Sequence, residues 1–111
     1  KTLDFTYVDD CVSGIMAGLE LLTTGAAVNE TVNLAYGQGH TLAAMAWMIG
    51  EALGVKPRMT IEASRPGEVT HYVANIGKAR ALLGYEPQVT LEDGIRRAIE
   101  WQRSVIRESV L

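Results

Sequence analysis

Ala63-Ser64-Arg65-Pro66-Gly67-Glu68-Val69 decides how a strand-like run is turned back into the rest of the chain. Pro66 presets φ and Gly67 accepts a positive one, so Pro-Gly reverses the chain in a tight turn. The turn carries a cation at its entrance, Arg65, and a carboxylate at its exit, Glu68. Arginine offers a planar fork of donors that matches phosphate oxygens, and glutamate accepts hydrogen bonds from hydroxyls. Together they suit a phosphorylated ribose. Taken alone, Arg-Pro-Gly-Glu reads as a surface turn with a solvated ion pair. Its company changes the weighing.

Working outward, Arg58 to Ala63 alternates, with Met59, Ile61 and Ala63 on one side, and predicts a strand before the turn. Val69 to Val73 is a weaker extended stretch after it. Asn75 then caps a short helix with Ile76, Ala79, Leu82 and Leu83 inward, closed by Gly84 and Pro87. Thr90-Leu91-Glu92-Asp93 is a near capping box for a last helix over about 91–107. Its apolar face holds Leu91, Ile95, Ala98, Ile99, Gln102, Val105 and Ile106. The spacing pairs Glu92 with Arg96 and Glu100 with Arg103 on the other face.

Upstream of the turn, Thr41 caps a helix that runs to Leu53, with Gly54 and Pro57 as stop signals. From Leu42 to Ile49 every residue is apolar, which predicts burial on more than one side, against a missing domain or a partner chain. Thr31 to Ala35 reads as a strand, and so does Leu3 to Val8 at the start of the chain. Asp9 or Asp10 caps a helix with Val12, Ile15, Met16, Leu19 and Leu22 at helical spacing, ending near Gly25. Gly14 and Gly18, four apart on that helix, predict close approach of a neighbouring backbone. The sum is an α/β chain with more helix than strand.

Composition narrows the function classes. One hundred and eleven residues make one domain, and 48% hydrophobic with 21% charged residues is ordinary for a globular protein. The net charge is -3 and no Lys/Arg cluster breaks the chain, so no nucleic-acid footprint is present. Cys11 is alone, which excludes an internal disulfide and a cysteine metal cage and points to a reducing compartment. No apolar run reaches membrane-spanning length. The chain opens at Lys1 without a Met and goes almost at once into patterned structure, as a piece cut from something longer would.

Several chemical signals fail on spacing. Gly37-Gln38-Gly39 sits between a strand and a helix, but Leu42 stands where a dinucleotide fingerprint needs its third glycine. His40 and His71 have no metal-ligand spacing. Asp9 and Asp10 are adjacent on a helix and point about 100° apart, which suits capping better than paired acid-base work. Cys11 reads as a half-buried structural thiol, and Trp47 and Trp101 read as core.

Five stretches nevertheless occur in a telling order: Asp4-Phe5-Thr6-Tyr7-Val8-Asp9-Asp10, Thr31-Val32-Asn33-Leu34, Arg65-Pro66-Gly67-Glu68, Ala81-Leu82-Leu83-Gly84-Tyr85-Glu86-Pro87, and Leu91-Glu92-Asp93-Gly94-Ile95 through Trp101. The series resembles the C-terminal part of the NAD-dependent epimerase/dehydratase family, the extended short-chain dehydrogenases that act on nucleotide sugars. The resemblance implies that residues 1–111 are the C-terminal nucleotide-sugar-binding segment of such an enzyme. NAD would be bound by an N-terminal Rossmann domain absent from this chain. It implies a cytoplasmic enzyme with no membrane or nucleic-acid partner, and it allows a homodimer of the full-length parent. Arg65 matches the arginine that holds the nucleotide diphosphate, Glu68 an acid that meets the ribose hydroxyls, and Tyr7 a residue lining the nucleotide side of the cleft. The family's usual Arg before Asp-Phe is Leu3 here. No tyrosine has the catalytic Lys four residues on: Tyr7 is followed by Cys11, Tyr36 by His40, Tyr72 by Ile76 and Tyr85 by Val89. The segment alone is therefore expected to be inactive. A UDP-glucose 4-epimerase-like parent is the first expectation, with dTDP-glucose 4,6-dehydratase or UDP-glucuronate decarboxylase beside it. A non-catalytic α/β ligand- or protein-binding module is the reading from another class.

Overall fold

Seven short elements follow one another in the computed structural model, which describes residues 1–26 and 28–110. They are β1 (Thr2–Asp4), α1 (Val8–Thr23), β2 (Gly39–Thr41), α2 (Leu42–Leu53), β3 (His71–Tyr72), α3 (Gly77–Leu83) and α4 (Leu91–Val110). The strands form one sheet in the order β2-β1-β3, with β2 antiparallel and β3 parallel to β1. The chain is helix-rich α/β, as its patterning predicts.

Local chemistry sets most helix ends. Thr41 Oγ1 accepts from the Ala44 N–H and opens α2, which Gly54 closes in the left-handed region at φ 71°. Thr90 Oγ1 accepts from the Asp93 N–H at the start of α4. The N-cap of α3 is Ile76, without a side-chain cap, rather than Asn75, which stands two positions before the helix with Oδ1 accepting from the Gly77 N–H; Gly84 ends α3 at φ 65°. The left-handed positions at Gly54 and Gly84 would strain any residue with a Cβ.

The strands depart from expectation. β1 ends at Asp4 rather than Val8, because the chain turns directly into α1. Thr31 to Ala35 and Arg58 to Ala63 are not strands. Val32 and Leu34 do pack on the core, so the alternation places its faces correctly. Neither segment has a strand edge beside it, and a ladder needs a partner as well as a face. In the second segment Ile61 is 97% exposed.

The core is small: Ala35, Ile76, Ala79 and Tyr85, with Val32, Leu34, Ala74 and Leu83 against it. Tyr85 donates its hydroxyl to the Ala35 carbonyl at 2.8 Å. Its burial, with Asp10 next in effect, pushes the phenol up to about 12. Gly14 packs against the side chain of Leu34 rather than a backbone, while Gly18 meets nothing within 4 Å.

Much apolar surface is uncovered. Val12, Ile15, Met16, Leu19 and Leu22 of α1 are all exposed, as are Leu42, Trp47 and Trp101. Both tryptophans thus lie outside the core that their helical neighbours predicted. The radius of gyration is 17.5 Å, against about 13 Å for a compact domain near this length. The molecule is only 21 Å along its shortest axis. Three helices, α1, α2 and α4, therefore present apolar side chains that the described residues do not bury. No helix among the described residues is long and apolar enough to cross a membrane.

Candidate nucleotide-binding site

Arg65 to Glu68 form the expected turn. Gly67 has φ 79°, and the Glu68 N–H donates to the Arg65 carbonyl at 3.1 Å. Proline followed by a positive-φ glycine gives a type II reversal. The Glu68 side chain then closes the turn a second time: Oε2 accepts from the Arg65 N–H at 3.1 Å. Oε1 accepts from Lys1 Nζ at 2.9 Å. That lysine, followed by the Arg65 amide, holds the Glu68 carboxyl below its usual range. With Glu68 occupied by Lys1 and the Arg65 backbone, the Arg65 guanidinium is exposed and joins no ion pair among the described residues. A charged fork on a hydrogen-bonded turn is what an oxyanion needs.

The sheet brings this turn to β1. Thr2 pairs with His71 and Leu3 with Tyr72, and the Thr2 N–H donates to the Thr70 carbonyl at 2.8 Å. Asp4 at the end of β1 fastens three segments. Its Oδ1 accepts from the Tyr36 N–H at 3.1 Å, and its Oδ2 from Gly37 at 2.9 Å and Ala74 at 3.2 Å.

Asp10 overturns the capping expectation. The residue at the α1 N-cap is Tyr7, with no side-chain cap bond. Asp10 is buried, and its two oxygens accept from the Gln88 N–H at 2.8 Å and the Val89 N–H at 2.9 Å. It ties α1 to the loop before α4. Asp9 stays exposed, with Arg97 Nη1 3.8 Å from it.

Tyr7 sits in another neighbourhood. A Cβ on Gly94 would lie 3.1 Å from its ring, and Arg97 lies over that ring at 5.5 Å. No hydrogen bond or ion pair of the described residues links Tyr7 to the Arg65 turn. Arg97 also pairs with Asp93 at 2.8 Å, and Arg96 approaches Asp93 at 3.4 Å. Asp93 therefore takes Arg96, which helical spacing assigned to Glu92, and Arg97 besides. The structure thus unites Arg65 with Glu68, leaves Tyr7 at the α1 N-cap against Gly94 and Arg97 of α4, and adds Lys1, which the sequence reading missed. No local signal marks Lys1, because its partner Glu68 lies 67 residues on.

The Gly37-Gln38-Gly39 loop does not fit a dinucleotide. A Cβ at Gly39 would lie 2.7 Å from Thr2 Cγ2 and 2.8 Å from Val73 Cγ2. This glycine admits the neighbouring strands, not a pyrophosphate, and it leads into β2 rather than a helix.

With this geometry in view, comparison with known proteins is specific. A family model described as GDP-mannose 4,6 dehydratase matches residues 1–98. The chain is 32% identical over 105 residues to the uncharacterized UDP-glucose epimerase YtcB of Bacillus subtilis, covering 95% of this chain and 32% of that protein. It superposes on the UDP-glucuronic acid 4-epimerase of Bacillus cereus, solved with UDP-glucuronic acid and NAD, with a TM-score of 0.82 and 31% identity. That match covers 95% of this chain and 33% of the other. A UDP-glucose-4-epimerase from Stenotrophomonas maltophila, solved with NAD and formylated UDP-arabinopyranose, gives a TM-score of 0.86 at 28% identity, over 95% and 31% of the two chains. The chain spans about a third of the length of these relatives. Its helix-rich α/β fold is that of a portion of the extended Rossmann-type short-chain dehydrogenases.

Proposed function

This chain belongs to the GDP-mannose 4,6 dehydratase family, matched over residues 1–98, and from that premise we propose that it is the C-terminal nucleotide-sugar-binding segment of a longer NAD-dependent UDP-sugar 4-epimerase. The carrying observation is the Arg65 turn: a reversal whose carboxylate is held by Lys1 and the Arg65 amide while the guanidinium joins no ion pair among the described residues. In this reading Arg65 holds the diphosphate of the substrate. Glu68 turns its remaining lone pairs to the ribose hydroxyls, since a carboxylate accepts at about four sites and two are occupied here. Tyr7, packed by Gly94 and Arg97, serves as a wall rather than a binding group. UDP is the chosen nucleotide because the relatives above are UDP-sugar epimerases.

The rest of the reaction falls to the preceding part of the parent. NAD accepts and returns hydride there when bound, and the Tyr-x-x-x-Lys pair that moves the sugar hydroxyl proton is not among these 111 residues. The uncovered faces of α1 and α2 support a longer parent, because they offer apolar surface for it to cover. The parent works in the cytoplasm, where a lone thiol such as Cys11 stays reduced, and assembles as a homodimer.

The test is kinetic. Arg65→Ala in the complete enzyme should raise KM by about ten- to a hundredfold, since a charge-assisted contact is worth about 1.5–3 kcal/mol. Unchanged kinetics would remove Arg65 from the site. The native protein should also have an intact mass well above the 12.0 kDa of these residues. A mass near that value would leave a non-catalytic binding module instead.

A further inference from the structure

We propose that Lys1 is a second diphosphate-binding cation of the Arg65 turn, an inference that rests on the nucleotide-sugar reading of that turn. Lys1 is separated from the turn by more than sixty positions in sequence, yet its Nζ donates to Glu68 Oε1 at 2.9 Å. The other oxygen of the same carboxylate accepts from the Arg65 N–H at 3.1 Å. One carboxylate therefore gathers the ammonium and the entrance of the turn. Lys1 is not loosely attached: its carbonyl accepts from the Leu42 N–H at 3.0 Å, and the next residue is in the sheet.

Charge and donor count both favour a phosphate ligand. Lys1 and Arg65 bracket a single Glu68, so the group carries one net positive charge before any ligand arrives. A diphosphate brings at least two negative charges, more than one guanidinium neutralises. An ammonium has three N–H donors, and among the described residues Lys1 uses one of them, on Glu68. The remaining two are free for phosphate oxygens while Glu68 keeps the ammonium in place. Lys1 immediately precedes β1, so it brings positive charge to the start of the strand on which Leu3 brings none. The Lys1–Glu68 pair is 30% and 33% exposed, which leaves it open to an incoming anion.

Isothermal titration of the complete enzyme with UDP and with uridine separates the roles. Lys1→Gln should weaken UDP by about tenfold and uridine by less than about twofold, while Lys1→Arg restores UDP binding. Retained uridine binding shows that the variant is folded. Equal weakening of UDP and uridine would mean that Lys1 only braces Glu68, and unchanged UDP binding would remove Lys1 from the site. Either result overturns the proposal. Arg65→Ala in the same series keeps the underlying reading separate. Loss of UDP affinity there, with none in Lys1→Gln, defeats the Lys1 proposal alone. No loss in either variant defeats the diphosphate reading of the turn as well.

Discussion

Asp10 and Glu68 are both carboxylates that accept backbone N–H groups, and they stand in opposite surroundings. Asp10 is 3% exposed, with both oxygens fixed on the amides of residues 88 and 89. Glu68 stands on an exposed turn, one oxygen on a backbone amide and the other on a lysine. A buried carboxylate cannot be stripped of its partners without leaving charge and amides unsatisfied. An exposed one exchanges partners with water at small cost. The difference teaches where to look for function: Asp10 holds the architecture, and the Glu68 turn is free to meet a ligand.

Four predictions break or sharpen this contrast, in falling order of effect. Asp10→Ala should destabilise the protein by about 3 kcal/mol, because the buried Val89 amide and the part-buried Gln88 amide both lose their partner. Denaturant titration of the complete enzyme reads this, and a change within about 0.5 kcal/mol would erase the distinction between the two acids. Gly84→Ala comes next, at about 1 kcal/mol of destabilisation, since the α3 terminus needs its φ of 65°. Thermal melting checks it.

Tyr85→Phe should cost about 1 kcal/mol through the lost hydroxyl bond to the Ala35 carbonyl. Its pH dependence has a definite sign. The folded phenol titrates at about 12 against an ordinary 10.0, so the folded state keeps the proton more tightly. That stabilisation is complete below pH 10 and is lost as pH rises towards 12. Melting temperature followed across this alkaline window should fall for the wild type and fall less for Tyr85→Phe. The smallest stability effect belongs to Glu68→Gln, which should leave the melting temperature unchanged while weakening UDP binding severalfold. The lowered Glu68 carboxyl adds an acid limb: its pairing with Lys1 and the Arg65 amide is present above pH 4.5 and lost as pH falls below it. A large stability loss in Glu68→Gln would place this acid beside Asp10, as architecture.

The same contrast explains what could be read from the sequence. The Arg65 turn, the Thr41 and Thr90 caps and the Gly54 and Gly84 stops are local devices, specified within four or five residues, and each was legible. Long-range partners were not. Asp10 reads as a cap because its position at a helix start is visible, whereas its amides lie 78 and 79 residues away. Lys1 is silent for the same reason, its partner being 67 residues on. Thr31 to Ala35 shows a strand's alternation and correctly turns Val32 and Leu34 inward, but alternation carries no information about a neighbouring edge. Trp47 and Trp101 have helical periodicity that says which face is apolar, not what covers it; here both are exposed.

The most direct test of the central claim is a crystal structure of the complete enzyme with UDP bound. The account predicts the Arg65 guanidinium at hydrogen-bond distance, about 2.7–2.9 Å, from diphosphate oxygens, with Glu68 on the ribose hydroxyls. A diphosphate bound elsewhere, with Arg65 still facing solvent, would contradict it.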